Sequence, residues 1–156
     1  MPKRYWLMKS EPTTFSIDDL KKRLKKTEPW DGVRNYQARN FMRDLMQKGD
    51  EAFFYHSNCD TPGIVGIVTI SKTAYPDPSA FDKHSPYYDP KSSPDNPRWM
   101  MVDVTFKKAF KETLPLTLLK TIPKLKNMAL VRPGNRLSVM PVTPAEWQII
   151  LNLEEE

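Results

Sequence analysis

The chain has 156 residues, of which 39% are hydrophobic and 11% aromatic, and a net charge of +5. This length suits one compact domain over residues 1–156, the apolar content excludes a disordered chain, and the mild positive charge permits an acidic partner without requiring one. A lone cysteine, Cys59, excludes an intrachain disulfide and indicates a reducing compartment. No apolar run has membrane-spanning length and no signal peptide is visible, so we expect a cytoplasmic protein, nuclear in a eukaryote, with no membrane partner.

The first elements are a strand and a basic helix. Residues 5–8 are apolar and aromatic and predict a strand. Ser16 is typical of a helix N-cap, and the helix that follows is basic on its outer face, since residues 20–26 hold five lysines and arginines. A turn rich in proline and glycine then carries Trp30.

Residues 30–43 concentrate three arginines, two asparagines and three aromatic residues. Asn35 can cap a helix that starts at Tyr36, and the free amides of its first turn can bind an anion. The face expected in the core comprises Ala38, Phe41, Met42 and Leu45. The opposite face, with its arginines and Tyr36, suits a planar ligand that bears phosphate. A solvated basic helix with Trp30 and Tyr36 in the core explains the same residues.

Two strong strands and a long Pro-rich segment follow. Residues 52–56 are apolar on both faces, which predicts a central strand, paired antiparallel with the apolar residues 64–70. Residues 75–98, the Pro-rich segment, contain six prolines and show no hydrophobic period. We expect this segment to be partly ordered, because its aromatic side chains need packing partners.

The last third of the chain returns to the sheet. Residues 99–106 and 137–142 predict strands with short helical pieces between them, and Thr143 and Glu146 form a capping box for a final helix. The total is five or six strands and three or four short helices, without βαβ repetition. The expected fold is α+β, a small, strongly bent sheet or barrel with helices around it.

Most catalytic and metal-binding motifs are missing. The five glycines form neither a dinucleotide fingerprint nor a phosphate-binding loop, and no His/Cys cluster has zinc spacing. Two arrangements stay open: a thiolate–imidazole pair of Cys59 and His56, and a metal held by His84, Asp82 and Asp89. Neighbours along a strand seldom face each other, and the Pro-rich segment offers no fixed geometry. We therefore expect no enzyme, no cofactor and no metal.

Polar side chains cluster where aromatic strands begin or end. These are Lys9, Ser10 and Glu11 after the first strand, Ser57 and Asn58 after the strand at 52–56, and Arg136 and Ser138 at the last strand. Hydroxyl and amide groups can read the edge of a nucleobase, and a tryptophan offers it a stacking face. Trp30 and Trp99 are the better ligand candidates, whereas Trp6 and Trp147 are expected in the core. A simple turn at Ser57 with every tryptophan in the core explains the same pattern.

Five strings carry a specific resemblance to a known family. They are YWLMKSEP at 5–12, WDGVRNYQARNF at 30–41, FYHSN at 54–58, AYPDP at 74–78 and RLSVMPVT at 136–143. Their order and spacing resemble the EVE domain family, a PUA-like group. The resemblance implies a PUA-like fold, a curved or open β-barrel of about five to six strands with peripheral helices. It also implies kinship with YTH domains and a role as a reader of modified bases rather than an enzyme.

The resemblance further implies roles for individual residues. Trp30 and Trp99 would be the walls of an aromatic cage. The floor and the contacts to the base edge would come from Lys9, Ser10, Ser57, Asn58 and Ser138. The rim would be shaped by Asn35, Tyr36 and Arg39, and the cations facing phosphate would be Arg34, Arg39, Arg43 and Arg136.

The leading hypothesis is a nucleic-acid-binding module that holds a modified base in an aromatic pocket, either a modified cytosine in DNA or a methylated base in RNA. One alternative is a small-molecule or nucleotide-binding protein, or an enzyme, that uses the same pocket. Another is an adaptor that binds protein through the Pro-rich segment. The expected partner is nucleic acid carrying a modified base, and we expect a monomer.

Overall fold

A computed structural model of the chain describes residues 3–155, and its centre is one six-stranded mixed sheet. The strands are β1 (Tyr5–Ser10), β2 (Thr27–Pro29), β3 (Glu51–His56), β4 (Gly63–Pro76), β5 (Met100–Pro115) and β6 (Val139–Val142). Their order is β2-β5-β4-β3-β1-β6; β1 and β3 are parallel, and the other neighbours are antiparallel. The sheet keeps two edges, β2 and β6, so the expected α+β architecture is confirmed in its open form and the sheet does not close into a barrel.

Short helices surround this sheet. They are α1 (Ile17–Lys21), α2 (Tyr36–Asn40) with a following π-helical turn (Phe41–Leu45), α3 (Leu116–Leu119) and α4 (Pro144–Glu155). Single 3₁₀ turns lie at Leu24–Lys26, Pro78–Phe81, Pro123–Leu125 and Ala129–Val131. The predicted caps are confirmed, since Ser16 and Asn35 accept the backbone N–H groups of Asp19 and Ala38. Within residues 3–155, no helix is long and apolar enough to cross a membrane.

Both faces of the sheet are covered, which explains why β1 and β3 each have four consecutive apolar or aromatic residues, at 5–8 and 52–55. Successive side chains of a strand point to opposite faces. Trp6 and Phe54 therefore pack with α1 and α2 in one core, while Leu7 and Phe53 pack with α3 and α4 in the other. Trp147 of α4 stacks on Phe53 with ring centroids 3.9 Å apart, so Trp147 and Trp6 are core residues as predicted.

The two longest strands give the sheet its curvature. β4 has 14 residues and β5 has 16, and their pairing shifts register at four places. Each shift is a bulge or irregularity, and such features bend a strand and increase its twist. The sequence predicted much shorter strands, at 64–70 and 99–106. Those limits were wrong because the outer parts of both strands are solvated and carry charged residues, which hides the apolar pattern.

The π-helical turn corrects one prediction about the core. Met46 donates its backbone N–H to the carbonyl oxygen of Phe41, five residues earlier, at 3.0 Å. The wider turn rotates the helix end, so that Met46 is buried and Leu45 is 38% exposed. Ala38 and Met42 are buried as expected, but the regular helical spacing that placed Leu45 in the core does not hold beyond Phe41.

Candidate functional site

The predicted polar residues of three strands meet at one end of the sheet. β1 and β3 are parallel with Ser10 opposite His56, so Ser10 and Ser57 emerge at the same end. The Ser57 N–H donates to the Ser10 carbonyl oxygen at 3.0 Å. β6 runs antiparallel to β1, which brings its beginning to the same place, and the Lys9 N–H donates to the Ser138 carbonyl oxygen at 2.8 Å. Strand direction therefore gathers residues that lie more than a hundred positions apart.

Trp30 reaches this place from the far edge of the sheet. It follows β2, and its N–H donates to the carbonyl oxygen of Val102 on β5 at 2.7 Å. Its indole meets the ring of Phe54 edge-on, at 5.3 Å and 82°. Because Phe54 belongs to the central strand β3, only a curved sheet allows this contact. Trp30 is 6% exposed, so the fold fixes the orientation of its ring.

Together these elements surround a cavity of about 610 Å³, a volume typical of ligand pockets. Six of the predicted site residues line it: Lys9, Ser10, Trp30, Ser57, Arg136 and Ser138. These six supply an indole, three hydroxyl groups and two cations, and the rest of the lining adds a third cation and three carboxylates. Such a mixture can hold a planar ligand by its face and by its polar edge at the same time.

Other predicted residues lie outside the cavity. Asn58 is exposed, has a left-handed backbone with φ of 51°, and its side-chain amide donates to the Glu11 carboxylate at 3.3 Å. Since Glu11 lines the cavity, Asn58 is placed to orient a wall residue. Asn35 is occupied as the cap of α2. Arg43 is exposed and pairs with Asp44 at 2.8 Å.

Tyr36 and Trp99 form a separate aromatic cluster. Their rings stack at 4.7 Å and 20°, and the Arg39 guanidinium lies over Tyr36 at 4.7 Å. The Trp99 indole N–H donates to Asp89 at 2.7 Å, and Trp99 is 6% exposed. Arg39 also donates to the carbonyl oxygen of Arg98 at 2.8 Å. The structure therefore brings Trp30 to the cavity lining but places Trp99 in a stack that anchors the Pro-rich segment.

Asp77 and Arg34 connect this segment to the cavity wall. Asp77 is fully buried, and each carboxylate oxygen accepts two hydrogen bonds. Oδ1 accepts from the N–H and hydroxyl of Ser79, and Oδ2 accepts from the Gly32 N–H and from Arg34. Arg34 also donates to the carbonyl oxygen of Tyr87 at 2.7 Å. Burial raises the pKa of Asp77, but these hydrogen bonds outweigh it and hold the pKa below its ordinary value.

Tyr87 closes one side of the cavity. It belongs to the Pro-rich segment, which is ordered at this point as expected, and its ring packs on Gly32. A Cβ atom at Gly32 would lie 2.7 Å from the Tyr87 ring, and the φ of 79° also favours glycine there. The glycine of the Trp30 string is therefore required by the close approach of the Pro-rich segment.

The cavity lining carries three cations and three carboxylates, whereas the hollow beside it carries cations only. Burial lowers the pKa of Lys9, whose ammonium lies 5.6 Å from the centre of the Tyr55 ring. Desolvation, followed by the nearby Asp77 carboxylate, raises the pKa of Asp31 at the cavity wall. A neighbouring hollow of about 550 Å³ shares Lys9 and adds three more cations, Lys120, Lys126 and Arg132. Within the described residues, no carboxylate lies within 4 Å of these cations or of Arg136.

The two catalytic arrangements that the sequence left open receive no geometric support. The Nε2 atom of His56 accepts the backbone N–H of Ile17 at 3.1 Å, so this nitrogen is already used in holding the start of α1. Cys59 is a half-buried free thiol. In the part of the chain that the structure describes, no group of three or more His, Cys, Asp or Glu residues could hold a metal ion.

Several lining residues were not predicted from the sequence, among them Phe15, Arg23, Glu28, Asp31 and Tyr87. Glu11 belongs to a predicted polar cluster, although no site role was given to it. Asp31 lies inside a family string and could have been selected as a hydrogen-bond acceptor. Tyr87 lies outside every string, and its position depends on how the Pro-rich segment folds back, which no local pattern indicates.

The open, curved sheet with peripheral helices and a cavity at converging strand ends defines a PUA-like domain. The family model of the EVE domain matches residues 4–153, and the chain therefore belongs to the EVE domain family. Human thymocyte nuclear protein 1 is 50% identical over 169 residues, covering 97% of this chain and 74% of that protein.

Two solved structures are also similar. The human THYN1 protein in complex with 5-methylcytosine-containing DNA has a TM-score of 0.94 and 50% identity, covering 99% of both chains. A protein from Pseudomonas syringae has a TM-score of 0.92 and 55% identity, covering 96% of this chain and 99% of that one.

Proposed function

We propose that this chain is a DNA-binding reader that holds a modified cytosine, with 5-methylcytosine as the first candidate, in the cavity lined by Trp30 and Ser57. The main support for this proposal is the similarity, over 99% of the chain, to the human THYN1 protein in complex with DNA that contains 5-methylcytosine. The cavity adds a physical reason, since it offers a stacking face and polar groups within a volume large enough to admit a base.

The base edge and the lining are chemically complementary. Cytosine presents an amino group that donates and ring positions that accept. Asp31 and Glu11 supply carboxylates for the amino group, and Lys9 supplies a donor for the accepting positions. The Ser10 hydroxyl already donates to the carbonyl oxygen of Phe15 at 2.6 Å, so it is free to accept. The ring of Trp30 would stack on the base, a contact worth about 1–3 kcal/mol in single-stranded DNA complexes.

A base stacked inside a duplex cannot enter this cavity, so the target base must be extruded. Extrusion costs a few kcal/mol, and contacts to phosphate offset this cost. We assign phosphate contacts to four cations of the cavity and the neighbouring hollow that have no carboxylate partner, namely Lys120, Lys126, Arg132 and Arg136. Arg34 and Arg39 were predicted in the same role, but Asp77 and backbone carbonyl oxygens engage them. We assign Arg34 to holding the cavity wall and Arg39 to holding the cluster of Tyr36 and Trp99.

We infer a reader rather than an enzyme, because His56 Nε2 is used in holding the start of α1 and Cys59 makes no hydrogen bond to His56 among the described residues. In a eukaryote the reader would act in the nucleus, as the name of the human relative says of that protein, and in a bacterium it would act in the cytoplasm.

Fluorescence binding to matched oligonucleotides tests the proposal. The panel contains single- and double-stranded DNA and RNA with cytosine, 5-methylcytosine, 5-hydroxymethylcytosine or N6-methyladenine at one position. We expect tightest binding to DNA with a modified cytosine, and a loss of about 5- to 100-fold for Trp30→Ala, from the stacking contribution. Trp30→Phe keeps a stacking ring and controls for the loss of packing against Phe54.

Two results would overturn the proposal. Equal affinity for modified and unmodified oligonucleotides would show that the cavity reads no modification. Unchanged selectivity in both Trp30→Ala and Ser57→Ala would show that the modified base binds somewhere else.

A further inference from the structure

Leu24 is the most exposed large apolar side chain in the described part of the protein. It is 86% exposed, whereas the other exposed leucines, Leu45 and Leu118, are each 38% exposed. It lies at the tip of the basic turn, residues 21–26, which connects α1 to the edge strand β2. Almost none of its apolar surface is covered by the described protein, so a partner that covered it would gain hydrophobic free energy.

Hydrogen bonds hold the basic turn in a backbone conformation that is energetically unfavourable. Lys25 and Lys26 have φ values of 55° and 53°, in the left-handed region that side-chain-bearing residues seldom adopt. The Lys26 N–H donates to the Arg23 carbonyl oxygen at 2.8 Å, and the Thr27 hydroxyl donates to the Lys25 carbonyl oxygen at 3.0 Å. The turn therefore projects Leu24 from a fixed base. Strained backbone that the surroundings hold in place is typical of functional positions.

Leu24 is surrounded in the basic turn by positively charged side chains, and this turn adjoins the cavity. The other exposed members of the basic turn are Lys21, Lys22, Arg23, Lys25 and Lys26. Arg23 lines the cavity, pairs with Glu28 at 3.1 Å and lies over the Phe15 ring at 5.1 Å. The sequence neighbour of Leu24 thus lines the cavity, and the basic turn adjoins it.

An apolar tip within a ring of cations matches one partner in particular. Duplex DNA carries phosphates on its outside and an apolar base stack within, so cations meet phosphates while an apolar side chain enters the stack. A protein partner with an apolar patch would need a matching acidic rim, and a duplex provides both features at every step.

We propose that Leu24 is a wedge that inserts into the base stack at the position from which the target base is extruded, filling the gap while that base occupies the cavity. The inference rests on the proposed function. The lysines of the basic turn hold the flanking phosphates, and the strained backbone keeps the wedge extended before DNA arrives. Leu24 is a positioning residue, because it stabilises the extruded state without touching the modified base.

The test compares Leu24→Ala on two substrates that carry the same 5-methylcytosine. In a duplex the wedge is needed, and we expect affinity to fall about tenfold, as for loss of an inserted side chain. In a single strand there is no stack to fill, and we expect affinity within about twofold of the unsubstituted protein. Leu24→Phe should retain duplex binding. Leu45→Ala removes another exposed leucine and should change neither affinity.

A 2-aminopurine base placed next to the 5-methylcytosine gives an independent signal, because its fluorescence rises when stacking is disrupted. The rise should occur with the unsubstituted protein and be lost with Leu24→Ala at saturating protein. Unchanged duplex affinity of Leu24→Ala, or an equal loss on both substrates, would overturn the wedge and leave the reader function standing. Failure of the unsubstituted protein to prefer either modified oligonucleotide would overturn the reader function, and the wedge with it.

Discussion

Replacing Asp77 with asparagine removes the charge that ties the Pro-rich segment to the cavity wall. An asparagine has one accepting oxygen, whereas Asp77 uses two, each with two donors. Whichever way the asparagine side chain is turned, its NH₂ group would face hydrogen-bond donors, either those of Ser79 or those of Gly32 and Arg34. Hydrogen bonds to charged groups contribute about 1.5–3 kcal/mol each, and breaking a buried ion pair costs about 3–5 kcal/mol. We expect Asp77→Asn to lower the free energy of unfolding by about 3 kcal/mol.

Urea denaturation followed by tryptophan fluorescence measures this loss. A domain stable by about 5–15 kcal/mol would still fold, so the variant can also be assayed for DNA binding. There we expect weaker binding, because Gly32 and Tyr87 lose their common anchor. Asp82→Asn changes an exposed carboxylate of the same segment and is the matched control. A loss below about 1 kcal/mol, well under the cost of one charged hydrogen bond, would refute the reasoning.

The pH dependence of this effect has a definite sign. The hydrogen bonds to Asp77 hold its pKa below the ordinary value of 3.8. Its ionised form therefore stabilises the fold at and above that value, and the contribution is lost as the pH falls through the lower folded-state pKa. Asp77→Asn should lack this part of the acid-induced loss of stability.

Two further predictions concern His56 and the glycines. Burial, partly opposed by nearby aspartates, lowers the pKa of His56 below 6.5, so the free energy of unfolding should fall as the pH drops below about 6.5. His56→Gln keeps an acceptor for the Ile17 N–H and should remove this dependence of the free energy of unfolding on pH. An unchanged pH dependence in the variant would exclude His56 as its source. Gly32→Ala should destabilise more than Gly134→Ala, since both have positive φ but only Gly32 contacts Tyr87. Equal losses in thermal melts would contradict this contact.

The elements that local pattern predicts best are those whose signals are short in range. The capping residues of α1 and α2, the central position of β3 and the antiparallel pairing of β3 with β4 follow from caps, apolar runs and turn residues. The limits of β4 and β5 cannot be predicted in this way, because a strand that extends into solvent loses its alternation of apolar and polar residues. The π-helical turn at Phe41–Leu45 also leaves no sequence signature, and it decides that Met46 rather than Leu45 enters the core.

In the candidate site, too, some features follow from local sequence patterns and others depend on the tertiary structure. The sequence identified polar residues at strand ends as site candidates, among them Lys9, Ser10, Ser57 and Ser138. The directions of the strands then bring these residues together. Trp30 and Trp99 both stand at element boundaries in the sequence, although only Trp30 lies inside a family string. The curvature of the sheet carries Trp30 to the cavity, whereas the path of the Pro-rich segment stacks Trp99 on Tyr36.

The sequence by itself determined the family, the types of element and the chemistry available at the strand ends, because these depend on residue identity and near-neighbour spacing. Only the tertiary structure decided which arginines are engaged by the protein and which face solvent, and which loop closes the cavity. It also decided that Leu24 stands exposed on a strained basic turn. These features depend on contacts between distant segments, such as Arg34 with Asp77 and Gly32 with Tyr87, and no local pattern encodes such contacts.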